Sequence, residues 1–217
     1  MAIIATNEGG SGFEPIEAGT YAARCYSMIH IGTVSEPYMG QMKDQNKIRI
    51  TWELPTELKE FKEGEGDKPY MVSKDYMLSM YEKSNLRKHI DSWRGKPLTD
   101  EEAEAFDVTK LLGAECLLSI IHKPSKDGKK VYAEITSVSR LPKGMTCPPQ
   151  INPSFEFNYD PFDQEKFLSL PEWLRKKMEV TPEYKKAISF TTEQQDAMHG
   201  AELENKLANT PDDDLPF

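Results

Sequence analysis

The sequence predicts a mainly β protein, a five-stranded barrel with a helical insertion between strands three and four. Three observations lead there. Three segments with strand-like character come first, a block with helix-capping signals follows, and two more strand-like segments are joined by the turn dipeptide Asp127-Gly128. A C-terminal helical extension and a disordered acidic tail are predicted beyond the barrel. A six-stranded sandwich is the structural competitor, and the single central helical block argues against it.

Residues 20–31 read as the first strand, with Tyr21, Ala23, Cys25, Ile29 and Ile31 on one face and Arg24, Tyr26, Met28 and His30 on the other. Residues 32–46 are polar and read as a long loop carrying Tyr38, Met39, Met42 and Lys43. Residues 47–54 alternate cleanly: Ile48, Ile50, Trp52 and Leu54 inward, Lys47, Arg49, Thr51 and Glu53 outward. Residues 55–69, rich in Glu, Lys, Gly and Pro, read as an exposed loop. A third strand covers 70–79 and puts Lys74 and Tyr76 on one face.

The helical block opens at Ser84, a helix cap, with apolar positions Leu86, Ile90 and Trp93 and a stop at Gly95. Thr99-Asp100-Glu101-Glu102 is a capping-box signature. Asp107 caps a short turn through Leu111 and Leu112 that ends at Gly113. Strands four and five follow at 115–122 and 131–138. This order matches the oligonucleotide/oligosaccharide-binding (OB) fold, a Greek-key barrel with a helix between its third and fourth strands.

Four segments result: a flexible arm at 1–17, the barrel domain at 18–145, a Pro-rich linker and helical extension at 146–187, and a disordered acidic tail at 188–217. In the extension, Phe155, Phe157, Tyr159 and Phe162 are interleaved with prolines. Two short helices are expected over 163–187, with Pro171 near the start of the second and Trp173, Leu174 and Met178 on one stripe. The net charge of -9 is segregated. Residues 18–145 hold 20 Lys+Arg against 19 Asp+Glu, and residues 146–217 hold 7 against 14. A barrel close to neutrality can still present a basic face, so the global charge does not exclude nucleic acid.

No apolar run reaches the roughly 20 residues a transmembrane helix needs, and the N-terminus has no secretory leader pattern. The three cysteines, Cys25, Cys116 and Cys147, are sparse and odd in number, which fits a reducing cytosol rather than a disulfide framework. The expected setting is therefore cytoplasmic, with no membrane partner. Gly9-Gly10-Ser11-Gly12 has no following Lys and no preceding strand, so it is not a phosphate loop. There is no His/Cys pair at metal spacing and no nucleophile elbow, and His30, His89, His122 and His199 are scattered. The expectation is a non-enzyme without cofactor or metal.

Non-specific binding of a single strand needs cations for the phosphates and aromatic faces for the bases. The outward rows offer Arg24, Tyr26, Lys47, Arg49, Lys74 and Tyr76. The loops offer Tyr38 and the hairpin residues Lys123, Lys126, Lys129, Lys130 and Tyr132. Trp52, Tyr21, Trp93 and Trp173 are read as structural.

The chain ends Asp212-Asp213-Asp214-Leu215-Pro216-Phe217, three carboxylates before an apolar, aromatic end. Such a tip suits a partner with an apolar pocket rimmed by basic groups. It resembles the C-terminal tip of bacterial and phage single-stranded-DNA-binding proteins. With barrel order and basic hairpin added, the chain resembles the phage-type members of that group. The resemblance implies coating of single-stranded DNA in replication, recombination and repair, with replication or recombination proteins recruited through Asp212, Asp213, Asp214, Leu215, Pro216 and Phe217. For a phage-encoded member the compartment is the host cytoplasm. The long extension departs from the compact bacterial form, so the bacterial tetramer does not carry over and self-association stays open. The alternative reading is an OB-fold adaptor for protein or RNA, without general affinity for single-stranded DNA.

Overall fold

The computed structural model describes residues 14–38, 40–125, 128 and 130–189. It is mainly β. Six strands, β1 (Gly19–Tyr38), β2 (Gln41–Glu60), β3 (Asp67–Met77), β4 (Glu115–Pro124), β5 (Val131–Ser139) and β6 (Phe155–Phe157), form one sheet. Its order is β3-β2-β1-β4-β5, with β6 also pairing β1. β1 and β4 are antiparallel, with Ala23 opposite Cys116, and β4 and β5 are antiparallel, with Lys123 opposite Tyr132. Among the described residues the hydrogen-bonded order is a path that does not close. No described helix is long and apolar enough to cross a membrane.

β1 and β2 are much longer than the sequence suggests. The stretch 32–46, expected as a loop, is strand over 32–38 and 41–46, and the loop expected at 55–69 shrinks to 61–66. Polar residues do not end a strand when an equally long neighbour satisfies their backbone groups, and here the neighbour of β1 is the next strand in the chain, β2. The compact units cut across these long strands. Residues 14–28 and 49–155 belong to one unit, and residues 29–48 and 156–189 to a second.

In the first unit, Cys25, Ile50, Trp52, Leu54, Leu118 and Ile135 build the core. α1 (Asn85–Arg94) packs on it through Leu86, Ile90 and Trp93. Ser84 Oγ accepts from Arg87 N at the start of α1, and Gly95 ends it at φ 72°. Trp93 lies 5.9 Å from Trp52, ring centre to ring centre, and its Nε1 donates to the Glu115 carbonyl at 2.7 Å. α2 (Asp100–Glu104) has the reciprocal Thr99/Glu102 capping box, and Asp107 caps the 3-10 turn Val108–Leu111. β3 and β5, the two ends of the sheet order, meet where Lys74 Nζ donates to the Ile135 carbonyl.

The second unit contains the distal parts of β1 and β2, then β6, α3 (Gln164–Ser169), α4 (Glu172–Glu179) and a helical stretch at 182–189. Phe157, Phe162, Phe167 and Tyr184 form a ring cluster, with Phe167 and Tyr184 at 4.9 Å. Gly32 kinks β1 at φ 91°. A Cβ there would stand 2.9 Å from both Thr181 Oγ1 and Glu183 Oε2, so the position takes only glycine. Glu183 accepts from Thr33 N at 2.8 Å and Thr33 Oγ1 at 2.6 Å. Leu174 and Met178 are buried as one stripe, whereas Trp173 is exposed, a correction to the stripe expected from sequence. Neighbours in sequence sit about 100° apart on a helix, so Trp173 and Leu174 cannot share a narrow buried face.

Candidate nucleic-acid interface

Where β3 approaches β5, the first unit carries an open groove of about 410 Å³. Arg49 enters it from β2, Lys74 and Asp75 from β3, Lys123 from β4, and Tyr132 and Glu134 from β5. Alternation sends Arg49, Asp75, Tyr132 and Glu134 outward, whereas Lys74, on the opposite face of β3, reaches the groove where β3 meets β5, and the β4–β5 pairing sets Lys123 directly opposite Tyr132. Four of the twelve candidate residues, Arg49, Lys74, Lys123 and Tyr132, are thus brought together.

The cations are held rather than loose. Arg49 Nη1 lies 2.6 Å from Asp75 Oδ1, and Lys123 Nζ lies 2.9 Å from Glu134 Oε2. Lys74 is half-buried, and burial is the main cause that lowers its pKa. The nearby Lys123 acts in the same sense and Glu134 in the opposite one. Tyr132 leaves 54% of its surface to solvent, so its ring is open to a stacking partner. Behind Lys74, Tyr76 hydrogen-bonds His89 Nδ1 at 2.8 Å. Burial and the Lys74 charge push His89 down to about 4.

Tyr26 stands near this face. Its hydroxyl faces Met71 Sδ at 2.8 Å, and its phenol pKa is raised first by burial, then by the Glu53 carboxylate, against the opposing pull of Arg49. Lys130 sits at the base of the β4–β5 turn, its backbone exchanging hydrogen bonds with Ser125 at 2.8 and 3.0 Å. Lys126 and Lys129 lie outside the described residues, as do the Tyr38 side chain and the whole tip, Asp212 to Phe217.

Three of the expected residues are engaged elsewhere. Tyr76 is buried, 3% exposed, and packs edge-on against Trp52 at 6.5 Å between ring centres; it is core and not an open stacking surface. Arg24 is spent on structure. Its guanidinium donates to the carbonyls of Pro148 (2.6 Å), Gly113 (3.0 Å) and Cys147 (3.0 Å) and pairs with Glu115 at 3.2 Å. Lys47 belongs to the second unit, where Glu36 bridges it to Lys177.

The sequence reading missed two features of this face. Asp75 and Glu134, which neutralise part of the groove, carry no signal beyond their alternation. Glu53, expected as a solvated outward carboxylate, is fully buried. It accepts from Ile151 N (2.5 Å), Asn152 N (2.9 Å) and Asn152 Nδ2 (2.7 Å), so it clamps the proline-rich segment onto the outside of β2.

The groove therefore offers fixed cations, hydrogen-bonding side chains and one open aromatic ring. Among the described residues no cluster of three His, Cys, Asp or Glu side chains could hold a metal. Cys25, Cys116 and Cys147 are buried free thiols whose pKa values burial raises. No family model matches the chain, and no curated protein or solved structure matches it.

Proposed function

We propose that the chain is a non-enzymatic protein that binds single-stranded DNA with little sequence preference, through an OB-type barrel in its first unit. The observation that carries this reading is the convergence of Arg49, Lys74, Lys123 and exposed Tyr132 on one groove. Cations that track a backbone beside an aromatic platform are what sequence-tolerant single-strand binding requires. The barrel reading is supported by the order β3-β2-β1-β4-β5, by the approach of β3 to β5 at Lys74 and Ile135, and by the helix placed in sequence between β3 and β4. Such barrels take oligonucleotides on the face of strands two and three and beside the 4-5 loop, and the contribution of Arg49 from β2, Lys74 from β3 and Tyr132 from β5 to one groove supports that reading.

The acidic aromatic tip, Asp212 to Phe217, is the part that recruits replication, recombination or repair proteins in this reading, on the strength of its composition alone. The cellular setting that goes with it is the cytoplasm, that of the host for a phage-encoded chain.

Fluorescence anisotropy with a labelled oligothymidylate, a duplex of equal length and an RNA of matching sequence tests the proposal. The single DNA strand is expected to bind tightest. Three phosphate contacts would give a log–log salt slope near -2, at about 0.7 per contact. Equal affinity for duplex, or affinity that ignores salt, would overturn it. Preference for RNA would favour the adaptor reading.

A further inference from the structure

A second basic pocket lies in the first unit, away from the groove. It has a volume of about 750 Å³ and is walled by Arg24, Trp93, Arg94, Glu115, Arg140 and Lys143. Two of its cations are already neutralised. Arg24 pairs with Glu115 at 3.2 Å, and Arg94 pairs with Glu102 at 2.9 Å. Arg140 and Lys143 are exposed and have no anionic partner among the described residues. The pocket therefore carries uncompensated positive charge inside a chain of net charge -9.

The backbone of Arg140 is anchored to α1, and its stem runs beside Gly95. Its backbone N–H donates to the Ser92 carbonyl at 3.1 Å, and the Cδ of its stem passes 3.1 Å from where a Cβ on Gly95 would stand. Lys143 sits in a turn closed by Met145 N to the Pro142 carbonyl at 3.1 Å, with Gly144 at φ 84°. A planar guanidinium fork and a point ammonium on one pocket wall suit a phosphate group. Trp93 and Leu111, at the floor, are 6% and 9% exposed, which leaves neither a stacking face for a base nor an open slot for a peptide's apolar anchor.

We propose that this pocket is a second phosphate subsite, which holds a phosphodiester of the same single strand that lies on the groove. The inference rests on the single-strand reading above and adds to it where the strand goes. Arg140 directly follows β5 and Tyr132 lies near its beginning, eight residues earlier. At roughly 3.3 Å per residue the two are about 26 Å apart along the strand. That span is roughly eight nucleotides at the 3.4 Å spacing of a stacked strand, and fewer if the strand is extended. A trinucleotide held at Tyr132 falls short of Arg140, and a fifteen-nucleotide strand has length to spare.

The test compares full-length wild type, R140A/K143A and K143A with labelled dT3 and dT15 over a salt series. The double variant is expected to bind dT3 like wild type. For dT15 its log–log salt slope should fall by about 1.4, two contacts at about 0.7 each, and that of K143A by about half as much. If the two contacts vanish at 1 M salt, this is roughly a 25-fold loss of dT15 affinity at 0.1 M. Both side chains are exposed, so the thermal midpoint should not move. If wild type binds dT15 and the double variant loses nothing, the subsite is overturned while the single-strand reading stands. Equal losses for dT3 and dT15 would also overturn it, because they would report a general field. Should the double variant keep dT15 affinity and lose affinity for a labelled hexa-aspartate peptide, the pocket serves an acidic protein and the proposal fails. Failure of wild type to bind either oligonucleotide removes the single-strand reading and the subsite with it.

Discussion

His89 ties the stability of the first unit to pH. In the folded chain its Nδ1 is hydrogen-bonded to the Tyr76 hydroxyl at 2.8 Å, and burial plus the charge of Lys74 lower its pKa from 6.5 to about 4; a backbone hydrogen bond with Thr136 acts the other way. Above pH 6.5 neither the folded nor the unfolded chain protonates this ring, and the contribution is complete. Between 6.5 and about 4 the unfolded chain takes the proton first, so stability falls as pH falls. Below about 4 both states are protonated and the loss is total. The interval sets a ceiling of about 3.4 kcal/mol, at about 1.36 kcal/mol per pH unit. The ring is only partly buried, so solvent screening brings the expected loss to about 1.5–2 kcal/mol. His89→Asn removes the titration and keeps a hydrogen-bond acceptor near Nδ1. Urea unfolding at pH 7, 5.5 and 4 should show wild type losing about 1.5–2 kcal/mol more than the variant over that range. Every other ionisable group is common to the two proteins and cancels in the difference. Parallel curves for the two proteins would refute the reasoning, because the proton would then find His89 equally accessible in both states.

Three further outcomes follow from the same contacts. Tyr132→Ala should weaken single-strand binding by about 1–3 kcal/mol with no change in thermal midpoint, while Tyr76→Ala should cost about 3–5 kcal/mol of folding stability as a core truncation; anisotropy and urea titration separate the two. Glu53→Ala strands the N–H groups of Ile151 and Asn152 and should cost about 3 kcal/mol in urea unfolding, whereas Glu53→Gln, which keeps one oxygen, should lose about half of that. Phe217→Ala should abolish capture of replication or recombination proteins from a lysate without altering DNA affinity; equal capture by both proteins would reduce the tip to a solubilising end.

Local signals were legible in the sequence because local physics sets them. Ser84, the Thr99/Glu102 box and Asp107 each satisfy amides within three residues, and all three sit where their spacing put them. Strand extent was not legible. β1 and β2 continue because each finds the other as a partner, and nothing within residues 32–46 announces that. The candidate interface shows the same limit more sharply. Period-two alternation says which residues share a face, but not what covers that face. Lys74 and Tyr76 do share one, with Val72, and it is the core face. Lys74 escapes because it lies where β3 meets β5, so its ammonium reaches the Ile135 carbonyl and the groove, while Tyr76 stays beneath α1 against Trp52 and His89. Arg24 and Glu53 do point outward from their strands. They are spent because a segment more than 90 residues further along returns to them, giving Arg24 the carbonyls of Cys147 and Pro148 and Glu53 the amides of Ile151 and Asn152. Both charges thus serve to hold the proline-rich segment against the sheet. In the proposed single-strand reading the ligand-facing role falls to residues that no described segment covers, with Tyr132, opposite Lys123 in the β4–β5 pairing, foremost among them.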